Sequence, residues 1–200
     1  MVVITELSQL DLNGTYSYAD YLLWQFEERV ELFKGKIMAM TAPNLKHQRV
    51  SVHLFLPIAN FFHKKSCELF VAPFDVKLYD SRKSKLADKE VYSVVQPDLC
   101  VICDKSKLTE RGCDGAPDWI IEILSPSNSK KEMRFKFDLY EEGGVTEYWL
   151  VYPYEEAVYQ FVLNAQTEKY ELKGMYANDD MATPFLFPEL KIDLVEVFAE

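Results

Sequence analysis

The sequence predicts an α/β domain, in the α+β sense of helices packed on a mixed sheet. Three observations predict it. Trp119-Ile120-Ile121-Glu122-Ile123-Leu124 is short, apolar and β-branched, the pattern of a central strand covered on both faces. Val50, Leu54, Ile58 and Phe62 recur at four-residue steps, which marks a long helix among strand-like runs. The predicted order is helix, hairpin, helix, three strands, helix, three strands, with no internal repeat, low-complexity tract or linker.

Taken in order, residues 1–16 form a loose N-terminal arm. Ser17 caps a helix predicted over Tyr18–Phe26, whose aromatic and leucine positions make a broad apolar face. Val30–Phe33 and Lys36–Met40 flank Lys34-Gly35, a hairpin signature with glycine in the turn. Leu45–His63 is the long helix. Glu68–Tyr79 is one or two strands around Pro73. Asp80–Val91 and Lys105–Ala116 are long loops. Asp98–Cys103 and Trp119–Leu124 are core strands. Ser129-Lys130-Lys131-Glu132 has capping-box spacing and opens a helix to about Glu142, ended by Gly143-Gly144. Thr146–Tyr152 is a strand, Ala157–Leu163 and Lys169–Leu172 a closing hairpin, and Leu190–Phe198 a last short piece.

A chain of 200 residues with 48% hydrophobic and 27% charged residues can build one full core, so residues 1–200 are expected to form a single domain. No stretch approaches the roughly 20 apolar residues that span a bilayer. Met1–Leu12 has no basic segment followed by an apolar core. The expected compartment is therefore the cytoplasm, with no membrane partner. The net charge of −10 argues against a general nucleic-acid coat. It leaves room for a local basic groove. Lys34, Lys36, Lys46, His47, Arg49 and His53 cluster in one region, and Lys130, Lys131, Arg134 and Lys136 in another. Solvated faces account for each cluster equally well.

Of Cys67, Cys100, Cys103 and Cys113, the C-x-x-C pair invites a zinc or redox role. Cys100 and Cys103 lie on one strand, however, and residues three apart there point to opposite faces. Small buried hydrophobes are the expectation for this pair.

Three residues carry chemistry. A carboxylate inside an apolar strand, as at Glu122, is costly unless paired, protonated or bound to metal. It marks a site, or a buried ion pair with Lys136. Asp98 follows Pro97 at the head of a strand, either as a metal ligand or as a turn residue setting the strand's entry. Lys136 lies on the shoulder of a helix face marked by Met133, Phe137 and Tyr140. It reaches toward the sheet, or packs its stem and leaves the ammonium in water. Phosphodiester hydrolysis needs an activated water and charge relief at phosphorus, most of which Mg²⁺ supplies. Two carboxylates on adjacent strands, a carbonyl between them and a lysine meet that need. Glu31 adds a ligand or faces solvent. His47 touches phosphate or shuttles a proton, unless it is structural.

Several runs together resemble the Uma-two family, restriction-endonuclease-like bacterial proteins within the PD-(D/E)XK nuclease superfamily. These are Gln96-Pro97-Asp98; Ala116-Pro117-Asp118-Trp119 through Glu122 to Ser127; Lys136 to Tyr140; and Gly144-Val145-Thr146-Glu147-Tyr148-Trp149. Glu31 to Ile37, and Ala42-Pro43 followed by His47, match the N-terminal pattern, so the resemblance covers roughly residues 17–165. It implies a restriction-endonuclease-like αβββαβ core, Mg²⁺ with Mn²⁺ as a substitute, and a nuclease-type site. The family's Asp falls on Asp98 and its Glu on Glu122, with the Ile123 carbonyl as a third metal ligand. The superfamily's usual Lys position holds Leu124, and the displaced Lys matches Lys136 on the following helix. Glu132 stands where Asp is common, and Tyr152 where Asp-Pro is frequent.

The expected function is an Mg²⁺-dependent DNA endonuclease, with Asp98, Glu122, Lys136 and Glu31 catalytic and His47, Lys130 and Arg134 contacting nucleic acid. A homodimer is compatible with it. The alternative is a non-catalytic protein-interaction or nucleic-acid-binding protein on the same fold, which an acidic chain with 12 Tyr and 13 Phe would suit. A hydrolase acting on a small substrate is the third possibility.

Overall fold

A computed structural model describes residues 3–79, 91–126 and 130–199. The loop expected at 80–91 lies outside them but for Val91, and so does Ser129, the residue expected to open the capping box. Among the described residues, two six-stranded mixed sheets and a small two-stranded one carry four α-helices.

The main sheet is built on β9 (Trp119–Ile123), buried at every position. It lies between β6 (Leu99–Ile102), antiparallel, and β10 (Glu147–Tyr152), parallel. A parallel neighbour requires a crossover, and α3 (Lys130–Gly143) supplies it. β11 (Ala157–Asn164) and β12 (Lys169–Tyr176) extend one edge as an antiparallel meander, and β3 (Glu68–Val71) closes the other.

The second sheet begins with the expected hairpin, β1 (Val30–Phe33) and β2 (Lys36–Ala39), turning at Lys34 and Gly35, both at positive φ. It continues through β5 (Ser93–Val95), β4 (Val76–Leu78), β8 (Gly112–Asp114) and β7 (Leu108–Thr109). β3 pairs with β6 and β4 with β5, both antiparallel, so one strand pair passes from sheet to sheet. Pro73 and Pro97 interrupt its two members at the same level. Proline has no N–H for a ladder, and the pair turns a corner there, as strands that switch sheets do. Asp98 sits at this corner, where its carbonyl accepts from Ala72 N at 3.2 Å.

Period-two alternation sorts β9. Trp119, Ile121 and Ile123 face α2 (Leu45–Phe62), whose Val50, Leu54, Ile58 and Phe62 are all buried against them. The C-terminal α4 (Leu194–Phe198), entered through β14 (Ile192–Asp193) paired with β13 (Met181–Ala182), completes that core. Ile120 faces the other way, against Leu139 and Tyr140 of α3 and Val76 and Leu78 of β4. The same alternation puts Glu122 on the α3 side.

Some expectations need correction. α1 spans only Tyr18–Tyr21, because after one turn capped by Ser17 the chain leaves to pack Trp24 on Tyr16 and Tyr21. The arm is tied down by a parallel bridge from Ile4 to Trp24. The 105–116 loop folds into β7 and β8, held by Cys113 N on the Asp75 carbonyl at 2.8 Å. Cys67 and Cys103 form a disulfide, so Cys103 is not the simple buried hydrophobe expected. They flank the paired Glu68 and Ile102, a register no spacing announces. Cys100 is a buried thiol as expected; Cys113 is another, and burial pushes it up to about 12.

Candidate active site

The corner and α3 bring four of the expected residues onto one another. Glu122 is buried, 6% exposed, among the apolar residues that make β9 a strand. It accepts from Lys136 Nζ at 2.9 Å and from the Tyr140 hydroxyl at 2.5 Å. Those donors are four residues apart on α3, so both face the sheet. Lys136 does not extend to solvent. Its Nζ also lies 3.2 Å from Glu31 Oε1, which accepts Gln96 N at 2.8 Å. β1 is buried along its length, which fixes Glu31 inward.

Asp98 binds the next residue along β9. Its Oδ2 accepts Ile123 N at 2.7 Å, and its Oδ1 lies 3.3 Å from His47 Nε2. His47 is placed by the start of α2, where the Asn44 side chain caps the helix by accepting His47 N at 2.9 Å. Glu31, His47, Asp98, Glu122, Ile123 and Lys136 line one cleft of about 930 Å³.

The electrostatics follow from one ammonium facing several buried acids. Burial pushes the Glu122 carboxyl up to about 7, against the pull of Lys136 and with Asp98 and Glu31 adding to the rise. Burial pulls Lys136 down, but Glu122 and Glu31 outweigh it and hold the ammonium above the usual lysine range. The two shifts agree once the lysine is taken as charged and the excess negative charge is placed on the carboxylates. Burial, then Glu122 and Glu31, raise Tyr140, which stays a hydrogen-bond donor. Burial pulls His47 down, yet Asp98, with Glu122 and the Ile123 carbonyl, raises it above 6.5 overall.

Two expected residues lie elsewhere. Lys130 and Arg134 are exposed on α3 outside the cleft wall, and Arg134 Nε lies 3.9 Å from Asp138. Tyr140 was legible only as an apolar marker, although its i+4 spacing from Lys136 was the available signal. Gln96 acts through contacts between distant segments, which sequence does not display, whereas Asn44 caps α2 locally, three residues before His47, and an Asn ahead of a helical run was the available signal.

The donor set suits a hard cation. Among the described residues no three His, Cys, Asp or Glu side chains are already gathered around a metal position. Mg²⁺ does not require that, because it takes one or two carboxylates and keeps several waters. Asp98, Glu122 and the Ile123 carbonyl are hard oxygens within one cleft. Glu31, Asp98 and Glu122 line this cleft together, and a cation would relieve their mutual repulsion.

A family model described as Uma2, "Putative restriction endonuclease", matches residues 18–195. An uncharacterized protein of Synechocystis sp. is 27% identical over 134 residues, 66% of this chain and 65% of that relative, so the match spans just under two thirds of the relative's length. The crystal structure of "a putative nuclease belonging to DUF820" from Anabaena variabilis has a similar fold, with a TM-score of 0.69 over 92% of this chain and 97% of that one at 20% identity. Among the described residues no helix is long and apolar enough to cross a membrane.

Proposed function

This chain belongs to the Uma2 family, and on that premise we propose that it is an Mg²⁺-dependent endonuclease hydrolysing phosphodiester bonds in DNA. One observation carries the proposal: Asp98 at the corner before β6, Glu122 on β9 and Lys136 on the following helix meet in a single cleft. Asp98, Glu122 and the Ile123 carbonyl would hold the metal, with Mn²⁺ as a substitute. When bound, the ion would supply a water acidic enough to attack phosphorus, together with charge relief there.

The remaining steps belong to the chain's own residues. Lys136 holds Glu122 in place and presents an ammonium to the phosphate or the attacking water. Glu31 anchors Lys136 from the opposite side. His47, kept more easily protonated by Asp98, offers an N–H to a phosphate oxygen or the leaving oxygen. Lys130 and Arg134, exposed at the start of α3, would meet DNA outside the cleft.

Calorimetry with Mn²⁺ on wild type and Glu122→Gln tests the metal site, and plasmid cleavage by Asp98→Ala and Glu122→Ala tests the chemistry. Binding lost in the first variant and cleavage lost in the other two are expected. Cleavage persisting in both alanine variants would sink the proposal. The second reading is a non-catalytic binding protein on this fold. The observation in its favour is that Lys136 already bridges Glu31 and Glu122. Folded wild type that binds no Mn²⁺, with or without DNA, would select it.

A further inference from the structure

The cleft has two unlike parts. One end holds the acids and Lys136. The rest of its wall is mixed: Met38, Met40, Val52, Phe55, Val71 and Met133 give it an apolar stretch, among polar residues such as Gln48 and Ser51. Of these Val52 is 52% exposed, Phe55 37% and Val71 43%, which is unusual for large apolar side chains lining one concavity. The two parts share a face of α2. His47, Ser51 and Phe55 follow at four-residue steps and all line the cleft. From His47 to Phe55 the helix rises about 12 Å, or three to four nucleotides at the stacked rise of about 3.4 Å.

The charge of the lining limits what can enter. Among the described residues on the wall, Arg29 and Lys136 are opposed by Glu31, Asp98, Glu122 and Glu132. Duplex binding draws most of its affinity from many Lys and Arg neutralising phosphates, and this cleft offers two. An unpaired strand has another source of affinity, because its bases expose π-faces that stack on aromatic and apolar side chains. Methionine sulfur also packs well against rings.

Resting on the endonuclease reading above, we infer that the cleft takes an unpaired DNA strand. A base sits against Phe55, Val52 and Val71, and the backbone leads to the Asp98–Glu122 end. Phe55 is then a specificity residue that contacts substrate away from the reacting phosphate.

The test uses a fluorescein-labelled 12-nucleotide single strand and a blunt duplex of the same sequence. Binding is read by anisotropy in Ca²⁺ and cleavage in Mn²⁺. Wild type should bind and cut the single strand at least about tenfold better than the duplex. Phe55→Ala should weaken single-strand binding about tenfold, raising KM with little change in kcat. Phe55→Tyr, which keeps the ring, should retain affinity and guards against a mere folding defect. With Arg29 and Lys136 in the cleft and Lys130 and Arg134 outside it, the logarithm of affinity should fall with the logarithm of salt at a slope no steeper than about −2.8.

Equal or better use of duplex overturns the inference and leaves the endonuclease reading intact. So does unchanged single-strand affinity in Phe55→Ala, or a salt slope of about −4 or steeper. Neither DNA bound nor cut by a protein that does bind Mn²⁺ would overturn both.

Discussion

Lys136→Met isolates the ammonium while keeping most of the stem's volume. Its Nζ lies 2.9 Å from Glu122 and 3.2 Å from Glu31. At an effective dielectric of about 20, each contact is worth about 5–6 kcal/mol gross. Against this stand the several kcal/mol needed to take the ammonium out of water. Removing one partner of a buried pair then costs about 3–5 kcal/mol net, because the acids left behind lack a counter-charge. The loss should depend on pH. Glu122 already titrates near 7 in the folded protein, above its ordinary value. A carboxyl raised in this way weakens the fold as pH rises from about 4.5 through 7, and without Lys136 it rises further. The Lys136 contribution, from a raised lysine pKa, is constant below the ordinary lysine value. Urea denaturation should therefore show the full loss at pH 8 and a clearly smaller one at pH 5.5. A loss under about 1 kcal/mol at pH 8, or an equal loss at both pH values, would refute the assignment of Lys136 as the counter-ion of buried, ionised acids.

Other expectations rest on other contacts. Asp98→Asn should lower the His47 pKa, read by NMR titration; in wild type the pairing's stabilisation is complete below about 6.5 and is lost as pH rises through the raised folded value. Asn44→Ala removes the α2 cap and should cost about 1 kcal/mol in a denaturant midpoint series. Glu147, fully buried, accepts from Trp149 Nε1, Gln160 Nε2, Phe185 N and Leu186 N. Glu147→Ala should therefore cost about 4 kcal/mol or more and speed amide exchange at Phe185 and Leu186. The Cys67–Cys103 bridge closes a sequence separation of 36. Dithiothreitol should lower wild-type stability by about 3–4 kcal/mol and leave Cys67→Ser unaffected.

Much of this molecule is local, and so was legible in the sequence. The four-residue steps of α2, the β-branched run of β9, the glycine turn of the first hairpin and the buried position of Glu122 each follow from the period of one element. The resemblance placed Asp98 and Lys136 beside Glu122, and the structure brings all three to one cleft. What the sequence alone could not decide was set by pairing between distant segments. The passage of one strand pair between two sheets at Pro73 and Pro97 depends on both prolines lying at the same level of the ladder. The disulfide depends on that same ladder's register. The burial of Lys136, where the sequence left open a stem with its head in water, came from Glu31 approaching from another sheet. A lysine's position follows from where its counter-charges gather, and only the tertiary structure gathers them.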